Sequence, residues 1–283
     1  MADAIHPEVI EAARQGEPDR YVAALLAPTA ACPGLIALAA FSAELRRIPR
    51  LVREPMMGEM RLQWWRDVFA AAPTAGPIGH PLADAITAAA ADYKLPVPIL
   101  TAMTEARAFD LYRDPMPDRA TLEAYLGKLD GAHGELAVRV LAHASGAADA
   151  EALAVANTAG RIYGLSRLLY DMPDWLGRGL TPLPADLVEV PAGGQGAASE
   201  VDWHRVAAAV RALADDAETR AAATWRSAKD LPDPLRNCVL PLAMVRPYAR
   251  AARQMAADEF RVRREVVPIG RMWRLARARW LGV

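Results

Sequence analysis

Apolar residues recur at the three-to-four-residue spacing of an α-helix along most of the chain. Prolines fall mostly between these stretches, where they end one helix or begin the next. Alanine supplies much of the hydrophobic content, and residues that favour strands are sparse. We therefore predict an all-α fold. The predicted helices are 19–27, 33–48, 55–72, 80–92, 96–111, 118–130, 132–145, 148–171, 201–229, 234–256 and 265–281.

One long irregular stretch, from Thr181 to Ser199, interrupts this pattern and is rich in proline and glycine. Helices of the same character flank it, so we interpret it as a loop within one domain. A chain of 283 residues can enclose one large core. The prediction is a single domain over 1–283, with a core at about 19–260 and a basic C-terminal helix at about 261–283.

The composition limits which partners and which cellular compartment we expect for this protein. The net charge is −1, which gives no general attraction to nucleic acid. The two cysteines form no disulfide framework, as is typical of a reducing compartment. No apolar run approaches the roughly 20 residues that span a bilayer, and the N-terminus has no signal-peptide pattern. We expect a cytoplasmic protein that does not bind nucleic acid.

Two aspartates are the first candidates for chemistry. Asp171 and Asp174 are three residues apart, so both carboxylates share one face if the helix continues. Paired carboxylates can hold Mg²⁺ together with phosphate oxygens. Alternatively, Pro173 ends the helix and Asp174 caps the next turn. Spacing alone leaves both interpretations open.

The segment around these aspartates resembles the second aspartate-rich motif of the squalene/phytoene synthase family. Gly160 falls on the family glycine and Asp171 on the first metal-binding aspartate. Gly177–Arg178 and Leu183–Leu187 fall on the downstream signature.

The same segment departs from the family pattern at several positions. Trp175 stands where the second aspartate is expected, and Asp174 lies one residue earlier. The family glutamine, asparagine and arginine positions hold Gly164, Arg167 and Tyr170.

The first motif of the family is a phenylalanine followed, after four residues, by Asp-Asp-x-x-Asp. Counted from Phe41, those three positions are Arg46, Arg47 and Arg50. Arginine has no acceptor atom, so none of the three can ligate a metal ion.

Two further elements support the resemblance. Tyr125–Gly134 has the spacing of the family's Tyr…Gly-x-x-Gly element. Glu54–Arg66 is similar to the helix after the first motif, and most similar to the branch related to a mitochondrial assembly factor for respiratory complex I.

The resemblance implies an isoprenoid-synthase-like helical bundle around a central apolar cavity. Family members join two prenyl diphosphates head to head, with Mg²⁺ held between two aspartate-rich helices. If this chain is active, Asp171 and Asp174 would be its metal-binding and catalytic residues. The substrate-binding residues that the resemblance implies are Phe41, Arg46, Arg47, Arg50, Tyr125, Arg167 and Arg178.

The three arginines could simply form a solvated helix face, and two functional roles are also open for them. They could bind phosphate directly, since guanidinium groups match phosphate oxygens. They could instead pair with Asp171 and Asp174 and close the old metal site, which is the role we favour. We then expect a non-catalytic binding or assembly factor of the respiratory complex I type, with no cofactor and an isoprenoid-like pocket. The alternative is an active prenyl transferase with an altered Mg²⁺ site.

The C-terminus forms a separate candidate surface. From Arg261 to Val283 there are seven arginines and one acidic residue, interleaved with tryptophan and other apolar side chains. This composition suits the surface of an anionic membrane. It equally suits a partner such as a respiratory-complex subunit, or the domain's own surface. If the contact is with a membrane, the expected cytoplasmic protein would be peripheral at the inner face of that membrane.

Overall fold

The computed structural model describes residues 5–71, 76–112, 114–145, 149–188 and 202–281. Within these ranges the chain forms helices and no strand, which confirms the prediction of a single-domain all-α bundle. The α-helices are α1 (Pro7–Gly16), α2 (Pro18–Leu25), α3 (Cys32–Leu51), α4 (Pro55–Ala71), α5 (Pro81–Asp92), α6 (Val97–Ala106), α7 (Arg119–Leu126), α8 (Ala132–Ser145), α9 (Ala150–Tyr170), α10 (Met172–Leu176), α11 (Trp203–Ser227), α12 (Val245–Ala257) and α13 (Pro268–Leu281). The 3₁₀ segments are Arg107–Leu111, Ala228–Asp230 and Leu235–Met244, and Gly127–Gly131 is a π-helical turn.

The largest difference from the predicted elements is at the N-terminus, where α1 was not predicted. It is only ten residues long, but Pro7 occupies its first turn and Val9 and Ala13 form its buried face. The predicted helix 234–256 is in fact a 3₁₀ segment containing Pro241, followed by α12. Residues 189–201, which include most of the predicted loop, lie outside the described residues.

Helices α3 and α9 are the most enclosed elements of the bundle. The N-terminal two thirds of α3 is almost continuously buried, and so is the C-terminal half of α9 from Ile162 to Leu169. α3 packs on α1, α2, α5 and α8, whereas α9 packs on α8, α11 and α12. This packing brings together the ends of α3 and α9, which carry the arginine run and Asp171.

Close backbone packing fixes the π-helical turn against α9. A Cβ added to Gly160 would lie 2.0 Å from the carbonyl oxygen of Asp130, and one added to Gly134 would lie 2.2 Å from that of Ala156. Neither approach leaves room for a side chain, so both positions require glycine. Asp130 is thereby held beside the end of α3.

None of the helices in the described part of the chain is both long enough and apolar enough to cross a membrane.

Candidate functional site

The arginine run of α3 meets the aspartate at the end of α9. Arg50 Nη2 lies 3.3 Å from Asp171 Oδ2, and Arg46 Nη1 lies 3.8 Å from the same oxygen. Arg50 Nη2 is also 4.0 Å from Asp174 Oδ2. The carboxylate of Asp171 therefore faces guanidinium groups where the family resemblance implies Mg²⁺.

Glu17, which lies between α1 and α2, is the centre of the site and was not predicted. Its side chain is fully buried, and its Oε1 accepts a hydrogen bond from Arg46 Nε at 3.1 Å. Arg167 Nη1 donates to Oε2, and Arg20 Nη1 lies 3.5 Å from Oε2. Burial alone would raise the pKa of Glu17, but the three guanidinium groups outweigh it and hold the pKa well below its usual range.

Asp130, in the π-helical turn, supplies a further buried carboxylate. Its Oδ1 accepts a hydrogen bond from Arg20 Nη2 at 2.7 Å and lies 3.6 Å from Arg46 Nη2. Gly164 of α9 makes this position possible, because a Cβ there would lie 2.5 Å from Asp130 Oδ2. The glycine at the family's glutamine position thus makes room for a carboxylate.

Arg167, at the family's asparagine position, reaches from α9 to the end of α1. Its Nη1 donates to Glu17 and its Nη2 donates to the Gly16 carbonyl oxygen at 2.6 Å. Burial lowers the pKa of Arg167, but Glu17 more than compensates, so the pKa stays well above its usual range.

The six buried or nearly buried side chains that these contacts join, which we call the ion-pair network, are Glu17, Arg20, Arg46, Asp130, Arg167 and Asp171, and the more exposed Arg50 contacts Asp171 from the edge. The network contains three arginines and three carboxylates, so its charges balance. Balanced and hydrogen-bonded charges are the condition under which ionised groups can remain inside a protein.

A second polar cluster lies next to the network and ties α13 to the bundle. Buried Asp19 accepts hydrogen bonds from the hydroxyls of Tyr163 at 2.9 Å and Tyr248 at 2.5 Å. Arg271 of α13 places its Nε 2.5 Å from Asp19 Oδ1. Tyr170, at the family's arginine position, stacks on Tyr248 with ring centroids 4.7 Å apart.

The remaining candidates of the arginine and aspartate motifs lie at the edge of the network. Arg47 is largely exposed, and its Nε donates to Glu44 at 2.9 Å rather than to Asp171. Asp174 accepts a hydrogen bond from Arg263. Arg178 donates to the Pro49 carbonyl oxygen at 2.9 Å.

The two aromatic candidates lie in different surroundings. Phe41 is fully buried and packs edge-on against Trp65 and Phe69, with ring centroids 5.1 and 5.4 Å away. The hydroxyl of Tyr125 donates to Asp110 at 2.8 Å and accepts from Arg107 at 2.9 Å. Phe41 thus packs in the core, and the Tyr125 hydroxyl belongs to a separate buried triad.

A cavity of about 590 Å³ opens beside the ion-pair network. Its charged lining comprises six arginines and four carboxylates. These are Arg46, Arg47, Arg50, Arg167, Arg263, Arg271, Glu8, Glu44, Asp171 and Asp174. Arg46, Arg167 and Arg271 are already engaged by the buried carboxylates of Glu17 and Asp19, so the arginines that could meet an anion in this cavity are Arg47, Arg50 and Arg263. A smaller cavity of about 30 Å³, deeper in the bundle near Leu35 and His133, has room for a water molecule or two.

The carboxylates at this site do not fit the Mg²⁺ cluster that the family resemblance implies. Mg²⁺ requires several oxygen ligands in octahedral geometry. Asp171 Oδ2 instead faces Arg46 and Arg50, and the two oxygens of Asp174 face Arg263 and Arg50. Across the described ranges, no three His, Cys, Asp or Glu side chains form a group that could hold a metal ion.

Comparisons with known proteins agree with this fold. The family model described as Squalene/phytoene synthase matches residues 13–273. The chain is similar in structure to squalene synthase HpnC from Alicyclobacillus acidocaldarius, with a TM-score of 0.69 and 17% identity over 88% of this chain and 93% of that one. It is also similar to a dehydrosqualene synthase solved in complex with a ligand, with a TM-score of 0.68 and 14% identity over 95% of this chain and 93% of that one. No curated protein sequence matches the chain. Because the family model covers most of its length, the chain belongs to the squalene/phytoene synthase family.

Proposed function

We propose that this chain is a non-catalytic member of its family, in which arginine–carboxylate pairs take the place of the metal bridge. The observation that carries the proposal is the position of Arg46 and Arg50, whose guanidinium groups lie 3.8 and 3.3 Å from Asp171 Oδ2. A metal ion promotes departure of a diphosphate by neutralising its developing charge at the reacting centre. An aspartate engaged by two guanidinium groups is a poor ligand for that metal.

The cost of opening the network supports the same conclusion. A Mg²⁺ ion bound by Asp171 Oδ2 would have to displace Arg46 and Arg50 from that oxygen, and Arg46 also contacts Glu17 and Asp130. Separating a buried charge from its partners costs about 3–5 kcal/mol. Metal binding would have to supply that free energy before any catalysis.

The cavity supports a role in which a prenyl diphosphate binds but does not lose its diphosphate. We infer that it accepts the phosphate end of a prenyl diphosphate or of another isoprenoid or lipid. Arg47, Arg50 and Arg263 line it and remain partly or largely exposed, so they can form charge-assisted hydrogen bonds to phosphate oxygens.

The alternative function is an active prenyl transferase with an altered Mg²⁺ site. The observation in its favour is that Asp171, in register with the family's metal-binding aspartate, still lines the cavity. The test is incubation with farnesyl and geranylgeranyl diphosphate plus Mg²⁺, with an active squalene or phytoene synthase assayed in parallel. We expect no prenyl product and no released diphosphate. Mg²⁺-dependent product that disappears in Asp171→Ala would establish the enzyme instead.

We further propose an assembly role of the respiratory complex I type. Its support is the similarity of Glu54–Arg66 to that branch of the family, together with the exposed apolar side chains of Met56, Met57 and Met60 on α4. Exposed clusters of this kind are characteristic of protein contacts.

The assembly role is tested in the source organism. Deleting the gene should lower the amount of assembled complex I, and the wild-type chain should restore it. Met57→Glu/Met60→Glu should fail to restore it, whereas Ala208→Glu/Ala212→Glu, which adds the same two charges to the exposed surface of α11, should succeed. Unchanged complex I in the deletion strain would contradict this role without bearing on the ion-pair network.

A further inference from the structure

Helix α13 carries apolar side chains on two opposite faces. Its inner face holds Leu275 and Ala278, which are buried against α2 and the 3₁₀ segment Leu235–Met244. On the other side Ile269, Trp273 and Trp280 are 76%, 65% and 71% exposed. Their spacing of four and seven residues places them in one line along the helix. We call this line the outer stripe.

The inner side of α13 is fixed so that the outer stripe faces away from the domain. Arg271 pairs with buried Asp19, and Arg279 donates two hydrogen bonds to Asp233, at 2.9 and 2.7 Å. These contacts hold both ends of the helix. The side chains of the outer stripe are therefore exposed even though α13 is held against the bundle.

Two other arginines of the helix stand beside the stripe. Arg274 and Arg277 are exposed and line a groove of about 500 Å³ together with Arg246, from the first turn of α12. The groove lining also includes Trp225 and one carboxylate, Glu218, which already pairs with Arg253 at 2.9 Å.

In the groove lining, the three arginines thus outnumber the single carboxylate. Within the described ranges, Arg246, Arg274 and Arg277 form no ion pair, in contrast to Arg271 and Arg279 on the inner side of α13. An unpaired basic groove beside an exposed tryptophan stripe is complementary to a surface with an apolar interior and anionic phosphate groups.

We propose that this face docks on an anionic lipid bilayer. The outer stripe lies in the interface between headgroups and acyl chains, and the groove arginines contact lipid phosphates. Interfacial tryptophan and arginine side chains suit a bilayer, where the ring meets the acyl boundary and the guanidinium group meets the headgroup. The inference is independent of the chemistry at the ion-pair network.

The test is co-sedimentation of the full chain with phosphatidylcholine vesicles, with and without phosphatidylglycerol. Binding should require phosphatidylglycerol and weaken as salt is raised. Each arginine near an anionic surface contributes about fivefold to partitioning, so Arg246→Gln/Arg274→Gln/Arg277→Gln should lower it by about 100-fold. The matched control removes three exposed arginines elsewhere.

The control variant is Arg53→Gln/Arg61→Gln/Arg211→Gln, which has the same net charge but leaves the groove intact. Its partitioning onto the vesicles should stay within about fivefold of the wild-type value, because only the net charge of the protein changes. Circular dichroism and thermal unfolding check that both variants are folded. Equal losses in the two variants would overturn the proposal, because attraction would then depend on net charge and not on this face.

A fluorescence measurement tests the stripe separately. Lipids brominated along the acyl chain should quench the fluorescence of the bound wild-type protein. In Trp273→Phe/Trp280→Phe the quenching should largely disappear while sedimentation persists. Undiminished quenching in this variant, or wild-type protein that binds neither vesicle, would overturn the proposal. The second result would also be the outcome if the face contacts only another protein.

Discussion

Replacing Glu17 with glutamine removes a buried negative charge that three arginines contact. Glutamine keeps the size of the side chain and one acceptor oxygen, so packing changes little. Arg46 donates to one carboxylate oxygen of Glu17 and Arg167 donates to the other, so in glutamine only one of these arginines would keep an acceptor and the other would face the amide NH2 group. The variant therefore removes the charge and one hydrogen bond from the network.

The magnitude follows from burial. Glu17 is fully buried, Arg20 is nearly so, and the network has three arginines for three carboxylates. Removing one partner from a buried ion pair typically costs about 3–5 kcal/mol, because the remaining charge is left without compensation. Since a domain is stable by only about 5–15 kcal/mol, Glu17→Gln should remove a large share of the free energy of unfolding.

Urea unfolding followed by circular dichroism measures this difference at pH 7. Glu11→Gln is the matched control, because Glu11 lies on α1 and pairs with Arg14 at the protein surface. The control should unfold at the wild-type urea concentration. Glu17→Gln as stable as the control would refute the view that the network is a balanced buried set of charges.

The pH dependence provides a second check on the same residue. The pKa of Glu17 is lower in the folded chain than in the unfolded one, so its stabilisation is complete above the ordinary carboxyl range. It is lost as the pH falls below that range towards the folded pKa. The difference in stability between wild type and Glu17→Gln should accordingly shrink in acid.

Two other substitutions probe the surroundings of the network. Gly160→Ala should lower the free energy of unfolding in urea by about 1–3 kcal/mol, since its Cβ would overlap the Asp130 carbonyl. The control is Gly270→Ala, whose Cβ would meet no atom within 4 Å, so this variant should be as stable as wild type or more stable. Equal losses of stability in the two variants would contradict this packing. Burial and a neighbouring guanidinium hold the pKa of His133 well below its usual range, so the unfolded chain takes up a proton that the folded chain does not. The free energy of unfolding should fall as the pH drops through the usual histidine range, by up to about 1.4 kcal/mol per pH unit. His133→Asn should not show this pH dependence. An unchanged pH dependence in the variant would mean that other groups cause it.

The sequence allowed the fold and the family to be predicted because both leave local signals. Helical periodicity indicated the all-α bundle, and the order of motifs around Phe41, Tyr125 and Gly160 indicated the family. The outer stripe of α13 was also visible as tryptophan interleaved with arginine. These features depend on neighbouring residues, which a single sequence displays directly.

The centre of the site could not be predicted in the same way. Glu17 belongs to no motif, and its partner Arg167 is 150 residues away. Arg20 and Asp130 are 110 residues apart. Such contacts depend on how α1, α3 and α9 pack, and α1 itself was not among the predicted helices.

The arginine run was interpreted correctly in part. Arg46 and Arg50 lie one helical turn apart and both face Asp171. Arg47 follows Arg46 by about 100° around the helix, so it points to solvent and pairs with Glu44. Gly164 and Arg167 both depart from the family pattern: Arg167 is a member of the ion-pair network, and Gly164 makes room for its Asp130 carboxylate.

The most direct test of the account is the Mg²⁺ dependence of diphosphate binding. Isothermal titration calorimetry with a farnesyl thiodiphosphate that resists ionisation can be performed in Mg²⁺ and again in EDTA. If arginines have replaced the metal, the dissociation constant should agree within about twofold in the two buffers, and Arg47→Gln/Arg50→Gln should weaken binding by tenfold or more. Binding that requires Mg²⁺ and is abolished by Asp171→Ala would contradict the account.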